Sequence, residues 1–172
     1  PFFEELNRRK VTVYTHPVAP NCTAGMYEEF NDSVIEFGTD TTRAIAKLLF
    51  TGAAAKYPDI NWIFSHAGGT LPFLVERMIQ APVLNKNLAP RVPNGVLHEL
   101  TRFYYDTAWA YNAAPLAALT KVVPVSQVVY GSDYPYRTGA DTVKGLTAFG
   151  FSAADLQAIG RGNALRLLPR LA

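Results

Sequence analysis

One local pattern occurs four times in this chain and constrains its fold more than any other feature. In each copy a short apolar run, rich in β-branched and aromatic residues, ends at a polar residue and leads through a loop into a segment with helical periodicity. The runs are VTVYTH, INWIFSH, RFYYD and QVVYGSD. Because they lack a clean apolar and polar alternation, they are typical of parallel strands covered on both faces. Residues 1–172 are therefore predicted to form one α/β domain of four βα units.

The segments between the runs carry the start and stop signals of helices. Helices are predicted over Thr39–Lys56, after a cap at Thr70, after a cap at Ser152, over Asn163–Leu168, and in the opening stretch FFEELNRRK. Residues 17–38 are too irregular for a routine connection, since prolines and glycines break any period. Long loops in compact domains are commonly lids or binding loops, and a plain surface excursion is the alternative.

Composition excludes several classes of function. The formal net charge is only +2 and the charges are scattered, so a nucleic-acid partner is not expected. The apolar stretches are too short for a membrane helix, and no signal-peptide pattern opens the chain. A single cysteine, Cys22, excludes an internal disulfide and favours a reducing, cytoplasmic location. The sequence thus indicates a water-soluble protein.

Four polar residues stand where the predicted strands end: His16, His66, Asp106 and Asp133. The carboxyl ends of parallel strands share one edge of a sheet, where such folds place ligands and catalytic groups. Imidazole nitrogen and carboxylate oxygen are good ligands for a divalent metal, and histidine is also a proton shuttle. Each residue alone is more often structural, but four at one edge predict a site. Close histidine pairs such as HxH or HExxH are absent, so the expected ligand set is incomplete.

Residues near these strand ends are candidates for substrate binding. In the stretch HAGG, Gly68 and Gly69 permit a tight turn, and their amides are candidates for binding an anion such as a carboxylate. The turn alone explains the glycines equally well. Trp109, together with Tyr111, Tyr134, Tyr136 and Arg137, is placed to line an aromatic pocket, although aromatic residues also fill barrel mouths. His98 is expected on the surface.

The predicted sheet has exposed edges. Four βα units make half of an eight-stranded barrel, and an open sheet with one helical layer leaves apolar surface uncovered. The chain also opens with Pro1, within what resembles the end of a helix. We therefore expect an incomplete barrel that needs an N-terminal half, and that otherwise aggregates or forms a homo-oligomer.

The motifs VYTHP, FSHAGGTLPF, FYYDTA, YGSDYP and GNALRLLP resemble the carboxyl-terminal half of the amidohydrolase-2 group. This group includes aminocarboxymuconate semialdehyde decarboxylase and the salicylate and resorcylate decarboxylases, and the methylsalicylate type is the most similar. The resemblance implies strands five to eight of a metal-dependent (β/α)₈ TIM barrel. It implies one divalent metal, zinc or alternatively manganese, bound by His16 and Asp133, with His66 as the catalytic histidine outside the ligand set.

The resemblance implies non-oxidative decarboxylation of a small aromatic or muconate-type carboxylic acid. In that reaction His66 delivers the proton that replaces CO₂, while Asp106 orients a neighbouring group or contacts the substrate. Metal-dependent hydrolysis of a lactone or amide is the alternative, with His66 or Asp133 as the catalytic base. A binding module without catalysis is the third possibility, favoured only by the absence of HxH.

Overall fold

The computed structural model describes residues 1–171 and contains one sheet of four parallel strands in the order β1-β2-β3-β4. The strands are β1 (Thr12–Thr15), β2 (Asn61–Phe64), β3 (Tyr104–Asp106) and β4 (Val128–Val129). Each lies within one of the four apolar runs, so the predicted strands and their parallel arrangement are confirmed. Sequential neighbours pair, as in one half of a (β/α)₈ barrel.

Helices follow each strand and precede the first. They are α1 (Phe2–Arg8), α2 (Glu36–Phe50), α3 (Ala53–Lys56), α4 (Leu71–Leu84), α5 (Val96–Leu100), α6 (Ala113–Val122), α7 (Gly139–Phe149), α8 (Ala153–Gln157) and α9 (Asn163–Leu167). A π-helical segment, Ala158–Gly162, joins α8 to α9. Within residues 1–171, no helix combines the length and the apolar character that crossing a bilayer requires.

Two helical predictions need correction. The helix expected over Thr39–Lys56 begins earlier, at Glu36, and is divided at Gly52, whose φ of +79° lies in the left-handed region and ends the first segment. Thr70 precedes α4, but its hydroxyl does not cap the helix. It instead lies 2.9 Å from the hydroxyl of Thr42, which links α4 to α2. The cap at Ser152 is confirmed, because its hydroxyl accepts a bond from the Asp155 amide.

The core lies between the sheet and its helical layer. Phe64 of β2, Tyr105 of β3, Ile45 of α2 and Leu116 of α6 are completely buried in it. Each side chain of this size contributes roughly 1.5–3 kcal/mol to folding by leaving water. The opposite face of the sheet is open, since Tyr14 in β1 is 54% exposed. One face of the sheet is thus covered by helices and the other is partly open, as expected for half of a barrel.

The irregular segment after β1 is anchored at its far end. It contains the short 3-10 turns Asn21–Thr23 and Asp32–Val34 before α2 begins. The Tyr27 hydroxyl donates to the carboxylate of Glu36 at 2.8 Å, and Glu36 is only 4% exposed. A lid function for this loop stays a prediction.

Candidate metal and catalytic site

The structure brings three of the four strand-terminal residues together. One potential ligand atom from each of His16, His66 and Asp133 lies within 4.8 Å of the others. His16 directly follows β1, and the others lie in the loops after β2 and β4, so the shared carboxyl edge of the sheet produces this convergence. The predicted approach of His16 to Asp133 is confirmed, with 3.5 Å between Nε2 and Oδ1.

The surroundings of His16 orient its ring. Its Nδ1 lies 2.9 Å from the carbonyl oxygen of Pro17, so Nδ1 carries the proton and donates it to that oxygen. Nε2 then points toward Oδ1 of Asp133. Phe37 packs edge-on against the ring at 5.8 Å, and the ring of His66 lies 5.1 Å away. A histidine that binds a metal through one ring nitrogen typically has its other nitrogen fixed by a hydrogen bond of this kind.

Asp133 presents its two carboxylate oxygens to different partners. Oδ1 faces His16, whereas Oδ2 accepts a hydrogen bond from the indole Nε1–H of Trp109 at 2.6 Å. The backbone of Asp133 has a φ of +63°, in the left-handed region that non-glycine residues rarely occupy. The carbonyl oxygen of Asp133 accepts from the amide of Tyr136, which closes the turn after β4.

His66 also has a left-handed backbone, with a φ of +55°. Its amide donates to the Asp106 carboxylate at 2.8 Å. Its Nε2 is buried and has no hydrogen-bond partner among the described residues. Burial lowers the pKa of the His66 imidazole, the nearby His16 lowers it further, and Asp133 acts in the opposite direction. The neutral imidazole is therefore the resting form at neutral pH.

Asp106 is buried beside the site and binds the backbone and side-chain groups at the ends of the neighbouring strands. It is 2% exposed, and its carboxylate accepts hydrogen bonds from the amides of His66 and Ala108 and from the hydroxyl of Tyr14, at 2.8, 3.0 and 2.7 Å. Burial raises the pKa of Asp106, and these three bonds oppose that rise. Three of the roughly four acceptor positions of a carboxylate are thus used. Contact between Asp106 and a substrate stays a prediction, and this arrangement favours a positioning role.

The predicted anion site at Gly68 and Gly69 is wrong as far as their amides are concerned. Gly68 donates to the carbonyl of Ser65 at 3.1 Å, and Gly69 to that of His66 at 2.8 Å, so the turn itself uses both N–H groups. The turn explanation is confirmed. A Cβ at Gly69, where φ is +68°, would lie 2.0 Å from the carbonyl oxygen of Gly38. Only glycine permits this close approach of the turn to α2.

The aromatic residues after β3 and β4 are divided between site and solvent. Trp109 contacts Asp133 and supports Arg137, whose guanidinium carbon lies 4.5 Å from the centre of the indole ring. Tyr134 and Tyr136 are largely exposed, at 82% and 79%. His98 is exposed on α5, as predicted. Substrate binding by Trp109 and Arg137 stays a prediction.

A cavity of about 430 Å³ adjoins the site on the open face of the sheet. Its volume is in the range of small-molecule pockets. It is mostly apolar and is lined by Tyr14, His16, Ile63, Asp106, Val129, Tyr130, Gly131, Ser132, Asp133, Tyr134, Ala164, Leu167 and Leu168. The sequence reasoning missed Tyr14, although it stands two residues before His16 and a strand places alternate side chains on one face.

The residues present fit a divalent metal. Imidazole nitrogen from His16 and carboxylate oxygen from Asp133 form a mixed N and O donor pair, and the unpartnered Nε2 of His66 is an orphaned buried polar atom beside it. Catalytic zinc usually has three protein ligands, so the two predicted ligands form only part of such a set.

The chain is similar to known proteins along nearly its whole length. The family model described as "Amidohydrolase" matches residues 1–170. The chain is 32% identical over 181 residues to "Decarboxylase macB" of Penicillium terrestre, covering 99% of this chain and 53% of that protein. It is 33% identical over 178 residues to "6-methylsalicylic acid decarboxylase" of Penicillium expansum, covering 99% and 54%.

A solved structure has the same fold. The dihydroxybenzoic acid decarboxylase of Polaromonas sp. JS666, determined with bound manganese and the inhibitor 2-nitroresorcinol, superposes with a TM-score of 0.84 at 23% identity, covering 100% of this chain and 54% of that chain. This likeness establishes the fold. The chain spans about half the length of the relatives it matches.

Proposed function

The chain belongs to the amidohydrolase family, and from this membership we propose that it supplies the catalytic histidine and two metal ligands of a metal-dependent, non-oxidative decarboxylase. The substrate class is a small aromatic carboxylic acid. The proposal is supported by relatives that are named as decarboxylases, including one named for 6-methylsalicylic acid.

One observation carries the assignment of His66 as the proton carrier. Oδ2 of Asp133 accepts a hydrogen bond from the indole of Trp109, and Oδ1 faces His16 at the proposed metal position. Asp133 is therefore poorly placed to abstract or donate a proton. His66 has an unpartnered buried nitrogen beside this pair and a lowered pKa, so it is the group free to gain and lose a proton.

The proposed reaction uses the chain's residues as follows. His16 and Asp133 would hold the metal, which when bound supplies positive charge to an oxygen of the substrate. The neutral His66 takes the carboxyl proton of the substrate as the acid binds, which leaves a carboxylate. The bond between the ring and the carboxyl carbon then breaks, its electron pair stays on the ring carbon, and CO₂ leaves. The His66 proton forms the new C–H bond, and the imidazole returns to its neutral form.

Zinc is the metal we propose, with manganese as the alternative. Imidazole suits zinc well, whereas carboxylate oxygen also suits manganese, and the Polaromonas relative was determined with manganese. Elemental analysis of the purified protein separates the two. Asp133→Asn is expected to lower the bound metal, since it removes an anionic ligand.

We also propose that the exposed face of the sheet, including Tyr14, is covered in the full protein by an N-terminal half of the barrel or by a second copy. The half-exposed Tyr14 and the matched share of about half of each relative support this arrangement. The single Cys22 supports a reducing compartment such as the cytoplasm.

The test is product analysis with the metal-loaded full protein in D₂O. A salicylate-type acid is expected to yield CO₂ and a ring deuterated where the carboxylate stood. His66→Ala should abolish this product, and His98→Ala, which removes an exposed histidine on α5, should leave it unchanged. Opening of a lactone without CO₂ release from any aromatic acid would contradict the decarboxylase and favour a hydrolase at the same site.

A further inference from the structure

The hydrogen bond between Trp109 and Asp133 joins two residues with unusual backbones. The indole Nε1 lies 2.6 Å from Asp133 Oδ2, a short distance that is typical of a donor bound to a charged carboxylate. Trp109 has a φ of +55° and Asp133 a φ of +63°. A non-glycine residue in this region costs roughly 1–3 kcal/mol and persists where the surroundings enforce it. Both strained residues are therefore held in the orientation that makes this bond.

Arg137 restrains the indole from the solvent side. Its guanidinium carbon lies 4.5 Å from the ring centre, within the range of a cation–π contact. The amide of Arg137 also donates to the carbonyl oxygen of Asp133 at 3.4 Å, so one turn carries both the ligand and the cation. The Trp109 ring, 47% exposed, is thus fixed between the carboxylate and the guanidinium.

We propose that Trp109 is a positioning residue for the metal ligand Asp133, an inference that rests on the metal site of the proposed function. The indole N–H occupies Oδ2 and leaves Oδ1, which faces His16, as the single oxygen available to the metal. Without the indole, the carboxylate is free to rotate or to present both oxygens. Partners of this kind typically change metal affinity or activity by about 10–100-fold.

The experiment compares the same substitution at the two tryptophans of the chain, in the full protein stripped of metal. Trp109→Phe removes the N–H donor and keeps an aromatic ring under Arg137. Trp62→Phe is the matched control, because Trp62 is 7% exposed in the core and packs on Phe3 and Phe64. The zinc dissociation constant is measured by competition with a chromophoric chelator. We expect it to rise about 10–100-fold for Trp109→Phe and to stay unchanged for Trp62→Phe.

A second measurement follows the indole groups of the wild-type protein directly. In ¹⁵N-labelled wild-type protein each indole gives its own N–H resonance, and the peaks lost in Trp109→Phe and in Trp62→Phe assign these two. Zinc addition is expected to shift the Trp109 indole resonance and to leave that of Trp62 in place, because only Trp109 bonds to a ligand of the metal.

The outcomes separate this proposal from the proposed function. If the wild type binds zinc, but Trp109→Phe binds it equally well and the Trp109 indole resonance does not move, the positioning role is overturned while the metal site stands. If the wild type binds neither zinc nor manganese, the proposed function fails and the role of Trp109 fails with it.

Discussion

Removing the carboxylate of Asp106 tests whether the rim of the site depends on this buried group. In Asp106→Ala the amides of His66 and Ala108 lose their acceptor, and the hydroxyl of Tyr14 loses its partner. The His66 amide is the critical one, since this bond holds the strained backbone that presents the imidazole. The perturbation should therefore lower both stability and catalysis.

The magnitude follows from the groups left behind. Each buried N–H without a partner costs about 1–3 kcal/mol, so the two amides together cost roughly 2–6 kcal/mol. Burial of the carboxylate is itself unfavourable, which is why its pKa is raised, and removing it offsets part of this cost. We therefore expect a net decrease in the free energy of unfolding of about 2–4 kcal/mol. Asp106→Asn keeps an amide oxygen for both N–H groups and lets the Tyr14 hydroxyl accept instead of donate. Its expected loss is about 1 kcal/mol.

The assay is urea unfolding of the metal-loaded full protein together with the turnover rate at saturating substrate. Asp106→Ala should lower the free energy of unfolding by about 2 kcal/mol more than Asp106→Asn and should reduce turnover at least tenfold. Tyr14→Phe is the control, because it removes one bond to the same carboxylate and leaves the His66 amide bonded. Equal stability and turnover of the Ala and Asn variants would refute the reasoning.

Three further changes test other parts of the fold. In urea unfolding, Gly69→Ala should lower the free energy of unfolding by about 2–6 kcal/mol, because it combines a strained φ with a backbone clash. Gly150→Ala is the control, since its φ is +91° but the space around it is open, and it should cost only about 1–3 kcal/mol. Asn163→Ala should cost about 2–4 kcal/mol by the same measurement, because the fully buried amide donates to two carbonyls at β4 and the turn before it. Hydrogen bonds from Arg8, and then from Arg9, lower the pKa of Glu5 to about 2. The stabilisation by this carboxylate is therefore complete above pH 4.5, the ordinary pKa, and is lost as the pH falls through about 2; an NMR titration that finds the ordinary value would contradict it.

The strand ends were predictable because two signals agree there. An apolar run that stops at a polar residue marks where a strand leaves the core, and parallel strands expose these ends on one edge. This logic located His16, His66 and Asp133 without any knowledge of distances. It also located Asp106, but the pattern alone does not show whether a strand-terminal carboxylate faces the site or accepts bonds inside the rim.

The remaining features depend on backbone geometry that residue type does not encode. Gly52 inside an alanine-rich segment reads as a tolerated helical residue, and only its positive φ divides α2 from α3. The glycines of HAGG indicate a turn, but which groups their amides bond depends on the turn itself. His66 and Ala67, both non-glycine residues at a φ of +55°, lie outside what a propensity argument predicts.

The hydrogen bond from Trp109 to Asp133 bears most directly on which residue transfers the proton in a decarboxylase or a hydrolase. A hydrolase of this kind needs a base beside the metal to take a proton from water, and a decarboxylase needs an acid that delivers a proton to carbon. With Trp109 on one oxygen and His16 beside the other, Asp133 is suited to binding and not to proton transfer. His66 alone then serves either reaction. Trp109→Phe removes the bond to Asp133 Oδ2 and tests whether Asp133 can then act as a base. If it can, lactone hydrolysis should become measurable in this variant. If no hydrolysis appears, His66 remains the proton-transfer group at the site.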